Sequence, residues 1–94
     1  MKPLGQIVID EGANRALKSG KSLLPAGVSG VSGSFERGDC VAITLANGAA
    51  VALGISSYSS TEAAALIGLK TSEIEAVLGY PARAALVHRN DMAV

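Results

Sequence analysis

Asn47-Gly48 is the feature that most restricts what this chain can fold into. Both residues tolerate a left-handed backbone, and a two-residue hairpin turn of type I′ needs that conformation at both central positions. Before the pair, Val41, Ile43 and Leu45 alternate with Cys40, Ala42 and Thr44. After it, Val51, Leu53 and Ile55 alternate with the small residues Ala50, Ala52 and Gly54. A period of two is the spacing of a strand. The segment therefore predicts a type I′ hairpin joining a strand that starts at Cys40 to a return strand over Ala49–Ser57. A strand apolar on both faces belongs in the middle of a sheet or inside a barrel.

The flanking chain supplies the other elements. Gln6-Ile7-Val8-Ile9 is a short β-type run. Asp10 follows as a helix N-cap, and Ala13, Ala16 and Leu17 recur at helical spacing before the stop at Gly20, which predicts a helix over Glu11–Ser19. Pro25-Ala26-Gly27 reads as a turn. Val28 and Val31 lie on an extended stretch that Gly27, Gly30 and Gly33 bend or bring close to another backbone. Glu36-Arg37-Gly38-Asp39 is a turn signal. Ser59 with Glu62 fits a capping box and predicts a short helix through Ala63–Ile67, stopped by Gly68. Ser72 with Glu75 repeats that pattern, with Ile74, Val77 and Leu78 as the buried stripe and Gly79 as the stop. Pro81 then breaks the chain, Ala84–His88 is read as a final strand, and Asn90-Asp91 ends it.

This order lacks regular strand–helix alternation, so a doubly wound sheet is not the expected fold. The reading is an α+β domain, mainly β: a small bent mixed sheet closed into a partial barrel, with short helices at its rim. Residues 1–5 read as a linker and 6–94 as one domain. Ninety-four residues build one modest core, not a cleft between two lobes.

Composition narrows the function. Eight basic and eight acidic side chains cancel, whereas a protein that neutralises many phosphates carries a basic excess. Nucleic-acid binding would need a local patch. With no Trp, one Phe and two Tyr, stacking platforms for single-stranded bases are poorly supplied. Cys40 is the single cysteine, which excludes an intrachain disulfide and suits a reducing cytoplasm. One His and one Cys make a poor donor set for a metal. No run approaches the roughly 18 apolar residues of a membrane span, so a membrane is not an expected partner.

Three constellations bear on chemistry. Cys40, His88 and Asp91 offer a nucleophile, a base and an orienter, but Cys40 starts a core-type strand, where a buried inert thiol is the common outcome. Gly20-Lys21-Ser22 ends like a phosphate-binding loop, yet that loop needs a glycine where Arg15 stands, and it needs a preceding strand. Arg15, Lys18 and Lys21 are the clustered basic residues, spaced by three on the first helix and its exit. With Ser22, and with His88 and Arg89 from the end of the chain, they form the candidate surface for RNA or a protein partner. The plain alternatives are a solvated helix face and a strand-end His88 held by a backbone carbonyl. Glu73 and Glu75, two apart, do not face each other and read as first-turn charges favoured by the helix dipole. No catalytic, cofactor or metal residue is assigned.

The run from Gly5 to Ala13, then Arg15-Ala16-Leu17 and Ser22-Leu23-Leu24-Pro25-Ala26-Gly27-Val28, resembles the C-terminal PUA domain of bacterial glutamate 5-kinases. The likeness continues through Gly33-Ser34-Phe35-Glu36-Arg37-Gly38-Asp39, Gly54, Tyr58-Ser59-Ser60 and Gly68. It ends in Leu78-Gly79-Tyr80 and Val87-His88-Arg89, with Asn90 where many members carry Asp. The resemblance implies a PUA-like pseudo-barrel with a helix near its start. It also implies that residues 1–5 join a preceding amino-acid-kinase domain, which would hold ATP and Mg and phosphorylate L-glutamate in cytoplasmic proline biosynthesis. This chain would need no cofactor. It would regulate or stabilise the kinase, through that domain or through a second copy of itself. The alternative implied by other PUA domains is RNA binding through the first helix and the loop after it.

Overall fold

The computed structural model describes residues 2–80 and 82–94. The break expected at Pro81 lies outside them, as does Met1. Strand β1 (Gly5–Ile9) leads into helix α1 (Glu11–Lys18), then β2 (Val28–Gly33), β3 (Cys40–Leu45) and β4 (Ala50–Ile55). Helices α2 (Ser60–Ala65) and α3 (Thr71–Leu78) follow, and β5 (Met92–Ala93) closes the chain. The sheet order is β2-β1-β3-β4-β5. Only β1 and β3 are parallel, with Ile7 opposite Ile43; the other pairs are antiparallel. A parallel pair needs a long crossover, and α1 with β2 supplies it.

The sheet is mixed, as expected, and its ladder stays open, with β2 and β5 as edges. One isolated bridge joins the segments that enter these edges: Leu23, ahead of β2, pairs with Val87, ahead of β5. The Leu23 amide donates to the Val87 carbonyl at 2.9 Å, and the Leu86 amide returns to the Leu23 carbonyl at 2.8 Å. Leu86 and Val87 are both fully buried. This corrects the strand expected over Ala84–His88. Consecutive inward side chains break the strand period, and the last strand is the two-residue β5 instead.

The hairpin also differs from the sequence reading. Asn47 keeps a negative φ, and only Gly48 is left-handed, at φ 89°. The Gly48 amide donates to the Leu45 carbonyl at 2.9 Å, and the Leu45 amide donates to Ala49 across the base. The connection is an i to i+3 turn followed by a left-handed glycine, the three-residue hairpin. The Asn47 side chain accepts from the Ala49 amide at 2.9 Å, which holds Asn47 in that conformation. The two strands resume register around a bulge between Ile43 and Thr44.

Helix starts follow local chemistry. Asp10 Oδ1 accepts from the Ala13 amide at 2.7 Å. Ser59 and Glu62 form the expected reciprocal box. At α3 the box expected from Ser72 and Glu75 is displaced: Lys70 is the N-cap, and Glu73 accepts from its amide at 2.9 Å. An acid reaches back from the third helical position, and with Thr71 first that position is 73. No helix among the described residues is long and apolar enough to cross a membrane.

The core lies on one face of the sheet. Ile7, Ile9, Val41 and Ile43 point into it, with Leu17 of α1, Ala63 of α2 and Ile74 of α3. On β4 the small residues face inward: Ala52 and Gly54 are buried, while Leu53 is 41 % exposed. A Cβ on Gly54 would lie 2.6 Å from Val87 Cγ1 and 3.3 Å from the Asp91 carbonyl. Gly54→Ala is therefore an overpacking change, expected to cost about 1–3 kcal/mol. Gly30→Ala meets only ordinary contacts near Val8, at 3.6 Å, and should stay within about 0.5 kcal/mol of the parent. Urea unfolding of both variants checks the contrast.

Candidate functional site

The last turn of α1, its exit loop and the chain after Val87 converge on one surface. Lys18, Lys21 and Arg89 line a cavity of about 480 Å³ there, with Leu17 and Met92 at its apolar wall. Three of the expected site residues are thus brought together from positions up to 71 apart in the chain (89 − 18). Arg15 is exposed on α1 but does not line this cavity.

Ser22 and His88 shape the cavity without facing into it. Ser22 Oγ accepts from the Arg89 amide at 2.9 Å. His88 Nδ1 accepts from the Asn90 amide at 3.1 Å, so His88 caps the short 3-10 turn Arg89–Asp91. The hydrogen bond expected from His88 to a backbone carbonyl is replaced by one from a backbone amide. That contact leaves the neutral ring proton on Nε2. Together the two bonds fix where Arg89 leaves the backbone, and so aim its side chain beside Lys18 and Lys21.

Lys21 and Ser22 also border an apolar groove of about 400 Å³, walled by Ala13, Ala16, Leu23, Leu24 and Gly27. Leu24 is exposed at its edge. The two cavities have Lys21 in common, so a basic rim borders an apolar trough beside α1.

A second cluster lies apart from this surface and was not visible as a site in the sequence. Arg37, from the turn before β3, pairs with Glu62 of α2: Arg37 Nε to Glu62 Oε1 is 2.9 Å, and Nη2 meets Oε2. Tyr80, beyond α3, hydrogen-bonds both partners through its hydroxyl. The guanidinium also sits over the rings of Tyr58 and Tyr80, at 6.0 and 5.7 Å from their centroids. Arg37 hydrogen bonding, opposed by partial burial, holds the Glu62 carboxyl well below the usual carboxylate range. The hydrogen bond to Glu62 raises the Tyr80 hydroxyl above its ordinary value, and burial raises Tyr58. Arg37 and Glu62 lie 25 residues apart, outside any local spacing rule. The sequence showed only Glu62's capping role.

Cys40 is buried on β3 and forms no hydrogen bond with His88 or Asp91 among the described residues. Nor does any group of three or more His, Cys, Asp and Glu side chains there have a metal-binding arrangement.

An open mixed sheet with α1 in its crossover, bearing a basic rim beside an apolar trough, defines a small α+β domain, mainly β. The sequence model of the PUA domain matches residues 5–78, and the chain belongs to the PUA domain family. It is 57% identical over all 94 residues to the glutamate 5-kinases of Roseobacter denitrificans and Paracoccus denitrificans. It spans about a quarter of the length of these relatives, 25% of each. Among solved structures, it is similar to a PUA domain of Aeropyrum pernix K1 in complex with tartrate. That match has 28% identity and a TM-score of 0.65, over 90% of this chain and 41% of that one. It is also similar to a chain of the archaeal box H/ACA sRNP Nop10–Cbf5 complex, with 26% identity and a TM-score of 0.61, over 93% of this chain and 26% of that one.

The Glu62 contacts make stability depend on pH with a definite sign. Its pKa is lower folded than unfolded, so the contribution is present above the unfolded value and is lost as pH falls toward the folded one. Glu62→Gln keeps an acceptor for the Ser59 amide and removes the charge. The parent's urea midpoint should fall more steeply than the variant's between about pH 6 and about pH 3. Parallel curves would show that the pair contributes nothing.

Proposed function

We propose that this chain is the non-catalytic PUA module of a glutamate 5-kinase, and that it regulates or stabilises the kinase by contact. The observation that carries the reading is the 57% identity along the whole chain to a quarter of each kinase. In this reading a separate amino-acid-kinase domain of the longer polypeptide binds ATP and Mg and transfers phosphate to L-glutamate, in the cytoplasm. The PUA module supplies surface, either to that domain or to a second copy. The exposed Leu24 beside the apolar trough suits such contacts, since interface cores combine apolar anchors with a polar rim. Deleting the module from the intact enzyme should leave glutamate phosphorylation measurable, but change proline inhibition or the mass found by light scattering. An enzyme unchanged in both would refute the reading.

A second reading is RNA binding at the basic rim. It is favoured by the convergence of Lys18, Lys21 and Arg89 on one cavity and by the likeness to a chain of the box H/ACA sRNP. Three phosphate contacts would give a log–log salt slope of about −2 to −3. Changing Lys18, Lys21 and Arg89 together to Glu should abolish a gel shift of structured RNA at low salt. Equal binding by the triple variant would place the RNA elsewhere.

A further inference from the structure

The Arg37 cluster borders a cleft that neither reading uses. A cavity of about 410 Å³ is lined by Arg37, Ser57, Tyr58, Tyr80, Ala82 and Arg83. A neighbouring one of about 330 Å³ shares Arg37, Ser57 and Arg83, and adds Asp91 to the lining. We propose that this cleft is a ligand site for a small molecule carrying a single carboxylate on a flat apolar body.

The site is pre-arranged. Arg37 spends Nε and Nη2 on Glu62 and Tyr80, which leaves Nη1 unspent. A guanidinium locked in this way loses little side-chain freedom when it gains another partner. Glu62 is itself fixed by the capping box at the start of α2, so the clamp is anchored to backbone at its acidic end. Ser57 donates its backbone amide to Leu86 at 2.9 Å, which leaves its hydroxyl for the cleft. Arg83 is exposed and pairs with no acid among the described residues. Its five donors form a fork that matches a carboxylate.

Charge selects the ligand. Glu62 cancels Arg37, so Arg83 is the cation left to meet a carboxylate, and Asp91 balances it in the neighbouring cavity. Asp91, on the lining of the neighbouring cavity, and Glu62, held against Arg37, would repel a second negative group. The remaining wall is Tyr58, Tyr80 and Ala82, with Tyr80 39 % exposed. That wall favours a planar apolar body, and the volume is in the range of small-molecule pockets. This differs from the basic rim near α1, which gathers three cations without an acidic side chain on its lining and suits a polyanion.

Three probes test the assignment by amide NMR shifts on the 94-residue chain, at constant ionic strength. Benzoate has the carboxylate and the ring, acetate lacks the ring, and phthalate adds a second carboxylate. Benzoate should give saturable shifts at Ser57, Tyr58, Tyr80, Ala82 and Arg83, with a Kd of about 1 mM, and both other probes should bind at least about tenfold more weakly. Arg83→Gln changes an exposed side chain, so the spectrum should remain folded while benzoate binding weakens by about tenfold or more. Linear shifts without saturation would overturn the proposal. So would binding unaffected by Arg83→Gln, phthalate binding as tight as benzoate, or shifts confined to Lys18, Lys21 and Arg89.

Discussion

Val87 sits where the two ends of the open sheet meet, and both candidate surfaces depend on its placement. Its backbone pairs with Leu23, its side chain is fully buried, and its Cγ1 occupies the space a Cβ on Gly54 would need. Closing a sheet removes its unpaired edges, which are otherwise a liability. Here the ladder stays open and a single bridge joins the segments leading into its two edges, so that join must be held by packing. Leu23, Leu86 and Val87 together provide that packing, all with at most 1 % of their surface exposed. The inward face of β4 is small because Val87 already fills the volume above it.

The same clamp sets out the surface. The chain reaches Leu86 from Arg83 and leaves Val87 through His88 and Arg89. Arg83 is thereby delivered to the Arg37 side, and Arg89 to the Lys18 and Lys21 side. Ser57 is tied to Leu86 by its amide, and Ser22 holds the Arg89 amide. A change that loosened the Leu23–Val87 bridge would therefore reach both cavities at once. A short irregular segment does the positioning that a full strand would do in a closed barrel.

The parts of this fold that were legible in the sequence are those decided within a few residues. Asp10, Ser59 and Gly48 act through contacts three positions away or less, so residue identity nearly determines the outcome. Even there, equivalent chemistry competed: Glu73 and Glu75 both offered a capping acid, and the start of α3 at Thr71 chose Glu73. Asn47 could have been left-handed, but its side chain found the Ala49 amide from a right-handed backbone. The segment 84–88 failed for a different reason. Its composition suits a strand, but the partner that fixes its path is Leu23, more than sixty positions earlier. Of the site, Lys18 and Lys21 were legible together, because they share one helix and its exit; Arg15 of the same run lies off the cavity, and Arg89 joins from the end of the chain. The union of Arg37, Glu62, Tyr80 and Arg83 had no local signature.

Zero net charge conceals this separation. Opposite charges that pair within one cleft, as Arg37 and Glu62 do, leave hydrogen-bond donors without a strong long-range field. Cations with no salt-bridge partner among the described residues, such as Lys18, Lys21 and Arg89, produce a field that reaches about a Debye length, some 8–10 Å at physiological salt. The first arrangement selects by shape and donor geometry and changes little with ionic strength. The second attracts anions broadly and weakens as salt rises. A domain of this size can therefore present two surfaces with different selectivity rules, and the clamp at Val87 delivers Arg83 to one and Arg89 to the other.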